Sequence, residues 1–151
     1  VFARSVPEKA AGDPLTNLVF ELKKMTHTRR SQNFGAFAIF VTLDSDFQPD
    51  AKRDTAAGAV ATWGNSIPEW NPMKRDTDKP IPGSGNVVLG LAGQTSDAVK
   101  KWKLDKDNDI TVVLYHRMKM VREPWTFAEG KMTDADVKAI LAAAEAELGK
   151  K

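Results

Sequence analysis

The chain contains no cysteine. That absence removes disulfides, thiolate zinc sites, iron–sulfur ligation and cysteine nucleophiles together, and it leaves the redox compartment open. A strong charge of either sign is also missing: 22 Lys and Arg stand against 20 Asp and Glu, a formal net charge of +2. The two signs alternate along the chain, so no field exists to draw in a phosphate backbone or an acidic lipid surface, and nucleic acid is not an expected partner. Long apolar runs are absent too. Stretches 36–43 and 110–115 are among the longest, far short of the roughly 20 residues of a bilayer span, so no transmembrane segment is expected. Gly83, Gly85, Gly90 and Gly93 lack the spacing and the strand-to-helix setting of a dinucleotide or P-loop site, which argues against a nucleotide enzyme.

What is present describes one soluble α/β domain spanning residues 1–151. The chain is 42% apolar and 28% charged, ordinary for a folded protein, and at this length about two-thirds of the unfolded surface can be buried. Val1 to Ala3 reads as the end of a short buried strand. Asp13 and Pro14 open a helix, Asp as the cap and Pro at the first helical position, and Leu15, Leu18, Val19, Leu22 and Met25 recur at helical spacing behind them. Ala36 to Leu43 is apolar on both alternating faces, the pattern of a strand in the middle of a sheet with helices on each side. A helix is predicted over Ala51 to Trp63 despite Gly58 and Gly64. Residues 66–85 carry Pro68, Pro72, Pro80 and Pro82 and form a long loop. Strands follow at Asn86 to Ala92 and Ile110 to Tyr115 with a short helix at Ser96 to Trp102 between them, and Met118 to Phe127 reads as an edge-type strand interrupted by Pro124. Thr133 and Asp136 make a capping box ahead of the stripe Val137, Ile140, Leu141, Ala144 and Leu148. The expected order is β-α-β-α-β-α-β-β-α, a mixed sheet of about five strands flanked by helices.

That order, with ITVVLYHRMKMV followed by FAEGKMTDADVKAILAAAEAEL, resembles the carboxyl-terminal half of the thioredoxin-like superfamily. The helix at Ala51 to Trp63 and the strand NVVLGLA resemble its peroxiredoxin and TlpA-like branch. The likeness spans nearly the whole chain outside the Pro-rich loop. It implies reactive cysteines in the stretch RSVPEKAAGDPL, Arg4 to Leu15, and a cis-proline where Ile110 stands. Neither is present, so thiol–disulfide and peroxidase chemistry does not carry over. The chain is most similar to bacterial proteins that kept this fold without the chemistry.

Several residue groups remain as candidates. His116, Met118 and Met120 stand at i, i+2 and i+4, which on a continuous strand puts an imidazole and two thioethers on one face, donors soft enough for Cu(I). The plain alternative is a turn residue plus two Met packed on the last helix. Trp70, Met73 and Ile81 lie in the Pro-rich loop, where apolar anchors suit a protein interface; Trp70 folded back over the sheet edge is the alternative. Asp44, Asp46 and Asp50 read as a solvated loop rather than a Mg²⁺ or Ca²⁺ site, because no Gly or closing Glu stands where a calcium loop requires one, and Asp105, Asp107 and Asp109 read as a polar turn leading into a buried strand. His27 reads as a solvated helix-end residue, and Trp63, Trp102 and Trp125 as core. No cofactor is expected, with copper as the exception to test.

The leading expectation is therefore a non-catalytic domain that binds a protein partner or a copy of itself; the alternative is metal binding or delivery. The chain starts at Val1 in an apolar stretch and not at Met. That pattern fits a processed chain or one lacking an N-terminal piece such as a signal peptide, and it favours an exported, periplasmic or extracellular location.

Overall fold

A computed structural model describes residues 1–68, 87–117 and 119–149. Its centre is a five-stranded mixed sheet. The strands are β1 (Phe2–Ala3), β2 (Phe37–Thr42), β3 (Val88–Gly93), β4 (Ile110–Val112) and β7 (Trp125–Phe127), in the spatial order β3-β2-β1-β4-β7. β1, β2 and β3 run parallel, whereas β4 is antiparallel to β1 and β7 antiparallel to β4. Between β4 and β7 a separate two-stranded hairpin forms from β5 (Tyr115–His116) and β6 (Lys119–Met120).

The helices are α1 (Pro14–Thr28), α2 (Asp44–Phe47), α3 (Asp50–Ser66), α4 (Asp97–Lys101) and α5 (Asp134–Leu148), with one 3-10 turn at Arg30–Gln32. α1 starts where the sequence places it: the Asp13 carboxylate accepts from the Thr16 N–H at 2.8 Å, and Pro14 occupies the first turn, where no intrahelical donor is needed. α5 starts with a complete capping box. Thr133 Oγ1 accepts from the Asp136 N–H, and the Asp136 carboxylate accepts from the Thr133 N–H and hydroxyl. These bonds favour the ionised form and hold the Asp136 pKa below its ordinary value.

The alternation of each strand divides the apolar residues between two faces of the sheet. Ala3, Ala38, Phe40, Ile110 and Val112 pack against α1, α3 and α5, where Leu15, Leu18, Val19, Trp63 and Ile140 close the main core. The main core also contains a buried polar bond from Trp63 Nε1 to Thr16 Oγ1 at 2.9 Å. Phe2 and Val41 face the other way, onto Val99, with Phe37, Ile39 and Trp102 partly buried around them.

Three expectations need correction. Ala36 to Leu43 is a strand, but the middle of the sheet is β1; β2 reads as central because it too is flanked by strands on both sides. Ile110 to Tyr115 is not one strand: pairing in the main sheet ends at Val112, and Tyr115 belongs to the hairpin. Met118 to Phe127 likewise divides, into a hairpin arm and the edge strand β7, with Pro124 between them. Asp44 to Asp50 breaks the strand, as expected, and folds into the single turn α2 before α3 begins. No helix among the described residues is long and apolar enough to cross a membrane.

Candidate functional site

β1 pairs over two residues, while β2 starts at Phe37 on one side and the chain after β4 runs on to Leu114 on the other. Beside Val1, between these neighbours, lies a cavity of about 580 Å³. Its ends are Val1 and the turn Gln32 to Ala36, and its sides are Phe37 and the segment Val112 to Tyr115. α1 and α5 supply an apolar floor of Leu22, Ile140, Ala144 and Leu148. The Val1 amine donates to the Phe37 carbonyl at 2.9 Å, and burial pushes its pKa from 8.0 down to about 5.

The β5–β6 hairpin forms the outer lip. Arg117 at φ 49° makes the left-handed step that reverses the chain. Val121 N–H donates to the Leu114 carbonyl at 3.1 Å and ties the hairpin back to the sheet. Tyr115 pairs with Met120 and His116 with Lys119. Tyr115, Met120 and Val121 are 40%, 56% and 36% exposed, so three neighbouring apolar side chains meet solvent here. The Tyr115 ring also lies 6.3 Å from Phe37 and 6.2 Å from Trp102, which closes the second face of the cavity with aromatic groups. At the far end His116 Nδ1 lies 2.9 Å from Glu147 Oε1 of α5.

The hairpin changes the reading of the His-x-Met-x-Met segment. Residues paired across an antiparallel ladder share a face and adjacent pairs alternate. Met120 therefore sides with Tyr115, and His116 with Lys119, on the opposite face. The single-face triad required a continuous strand, and the chain reverses within it; Met118 lies outside the described residues. Trp70, Met73 and Ile81 also lie outside them.

The other candidates have local partners. Asp44 accepts from the Thr95 N–H at 3.1 Å, Asp46 pairs with Lys52 at 3.0 Å and Asp50 with Arg53 at 2.7 Å. Asp105 accepts from the Asp107 N–H, and Asp109 accepts the Ser5 hydroxyl at 2.8 Å. Among the described residues no three His, Asp or Glu side chains are grouped to hold a metal. His27, in the last turn of α1, is half-buried rather than solvated. Trp63 is core at 4% exposure, while Trp102 and Trp125 are half-buried.

Chemically the cavity offers largely apolar walls, the amides of Gln32 and Asn33, Arg117, and one imidazole–carboxylate pair. Among the described residues no Ser or Thr lines it, and the one hydroxyl in its wall is the Tyr115 phenol. Sequence reasoning passed over Phe34, Val113 and Glu147 as site residues, because nothing local marks them; long-range packing brings them together. Compared with protein-family models, curated proteins and solved structures, the chain matches none of them.

Proposed function

We propose that the chain is a non-catalytic thioredoxin-like domain that binds a protein partner through the β5–β6 hairpin and the cavity behind it. The observation that carries this reading is the exposure of Tyr115, Met120 and Val121 on a hairpin whose Tyr115 lines a largely apolar cavity of about 580 Å³. Exposed apolar surface rimmed by polar groups is characteristic of interaction sites, and His116, Arg117 and Lys119 flank these residues in the hairpin. The fold assignment draws support from the order β2-β1-β4-β7, with two parallel strands, two antiparallel strands and a closing helix, which agrees with the resemblance. At the position of the family's cysteines, Ser5 is bonded to Asp109 and Asp13 caps α1. These are structural roles, and they agree with a scaffold that no longer carries the chemistry.

The test is native mass spectrometry of the protein from its own source, with Met120→Ser combined with Val121→Ser as the comparison. Neither side chain is in the main core, so stability should change by under about 1 kcal/mol. The wild-type chain should carry a second polypeptide that the double variant loses; a doubled mass would make that polypeptide another copy. An unaltered complex in the double variant would remove the hairpin from the interface.

A further inference from the structure

The two edges of the main sheet are finished differently. β7 spans three residues, Pro124 stands directly before it, and the Arg122 guanidinium lies 3.8 Å over the Trp125 ring. Shortness, proline and charge are the usual protections of an edge strand. β3 has six residues, VLGLAG, and neither proline nor a charged residue occurs from Asn86 to Ser96. Val88 N–H donates to the Ala36 carbonyl and Gln94 N–H to the Thr42 carbonyl. The even-numbered residues of β3 therefore bond to β2, and Leu89 and Leu91 turn their N–H and C=O groups outward. Neither has a backbone partner on that side among the described residues.

The side chains around this edge suit a copy of themselves. Antiparallel pairing about a two-fold axis through Gly90 puts Leu89 opposite Leu91 of the second copy, which satisfies the outward groups of both residues in both chains. In the same register Val88, 64% exposed, stands opposite Ala92 of the second copy, beside its Gly90, so a projecting side chain meets small ones. On the other face α3 runs over this edge, where a Cβ on Gly64 would come within 2.5 Å of Leu89 Cδ1. Ala57 and Ala61 lie at helical spacing from Gly64 on the same side of α3, and both are exposed. No charge occurs from Thr55 to Ser66, whereas α1 carries Glu21, Lys23 and Lys24 and α5 carries Asp134, Lys138 and Glu145. Charge selects the occupant: a two-fold axis sets a surface against itself, so a charged surface repels its own copy and an uncharged one does not.

We infer that β3 and α3 form the interface of a two-fold dimer, in which the five-stranded sheet of one copy continues through β3 into that of the other. With the strand about 20 Å and the helix about 25 Å long, side by side, each copy offers a footprint on the order of 500 Å². That is below the roughly 800 Å² per partner of a standard interface, so the dimer is a reversible one with a Kd in the micromolar range. The hairpin follows β4, which lies beyond β2 and β1 from this edge, so the contact is separate from the partner surface proposed above.

The experiment is sedimentation velocity of the 151-residue protein from about 1 to about 500 µM, which should show a monomer passing into a dimer as concentration rises. Amide hydrogen exchange locates the contact. Leu89 and Leu91 should exchange at least about tenfold more slowly in the dimer, and Gly90 and Ala92, already bonded to β2, should change less. Val88→Lys supplies the edge charge that β3 lacks, and Ala61→Arg sets two cations against each other across the axis. Both sites are exposed, so each variant should keep the Tm of the monomer and raise the Kd at least about tenfold. Met120→Ser with Val121→Ser should leave the dimer intact, so the hairpin reading and the dimer fail separately. A monomer at every concentration, protection of Leu89 and Leu91 that does not depend on concentration, or a dimer that both charge variants leave unchanged would overturn the interface.

Discussion

The two faces of the sheet are built differently although the same strands supply both. One face is sealed by α1, α3 and α5, and its residues from Leu15 to Ala144 are almost wholly buried. The other rests on Phe2, Val41 and Val99, with the five-residue α4 above them and Phe37, Ile39, Trp102 and Val113 left partly exposed. Burial on the first face supplies most of the hydrophobic stabilisation, which scales with apolar area removed from water. Regions with fewer buried contacts open at lower free energy, and binding surfaces are drawn from them. Tyr115 of the hairpin lies along the thinly covered face, near Phe37 and Trp102, whereas the cavity lies between the two faces, with its floor of Leu22, Ile140 and Ala144 on the sealed side.

The largest expected effect tests that division with one residue type on one strand. Phe40, 1% exposed and packed edge-on against Trp63 at 5.1 Å, faces the sealed side. Phe40→Ala should cost about 4 kcal/mol. Phe37 lines the cavity on the thin side, half-buried, and Phe37→Ala should cost about 1–2 kcal/mol, because part of the deleted ring already meets solvent. Urea unfolding of both variants reads the difference; equal losses would break the comparison.

Trp63→Phe sharpens it on the sealed side. The substitution keeps much of the aromatic volume but leaves Thr16 Oγ1 without its indole donor, at about 1–3 kcal/mol, a loss visible as a drop in Tm.

A smaller effect belongs to the seam between the faces. In the 151-residue chain the buried Val1 amine has its pKa lowered from 8.0 to about 5. The unfolded chain therefore takes up this proton between pH 8 and about 5 while the folded one does not. Its contribution is fully present above about pH 8, falls as pH drops through that window, and levels off below it. Fraying of the end residue limits the loss to about 1–2 kcal/mol, since exposure of Val1 alone relieves the burial. Acetylation of the amine should flatten this part of a stability-against-pH curve.

Elements with strong local signals were legible before the structure. Asp13–Pro14 and the Thr133–Asp136 box each satisfy orphan helix donors with side chains a few residues away, so the sequence carries them openly. The hairpin was not legible. Its turn uses Arg117 at positive φ in place of the Asn-Gly or Asp-Gly that marks such turns, and a run with alternating side chains then reads as one strand. β1 was underestimated as the centre because two residues show no periodicity. The cavity is lined by segments a hundred residues apart, which no local window contains.

The central place of β1 also bears on how the chain reaches its native state. Phe2 pairs with Ile39 early in the chain and with Thr111 far along it, and the Arg4 side chain reaches the Asn108 carbonyl across 104 residues. Such closures must pay a large loop entropy before any contact rewards them, which slows the folding of non-local sheets. During synthesis β1, α1 and β2 leave the ribosome before β4, as a half-sheet whose β1 edge is bare. That edge stays bare until the Ile110 segment emerges, so the first half of the chain depends on the second for its shelter from aggregation.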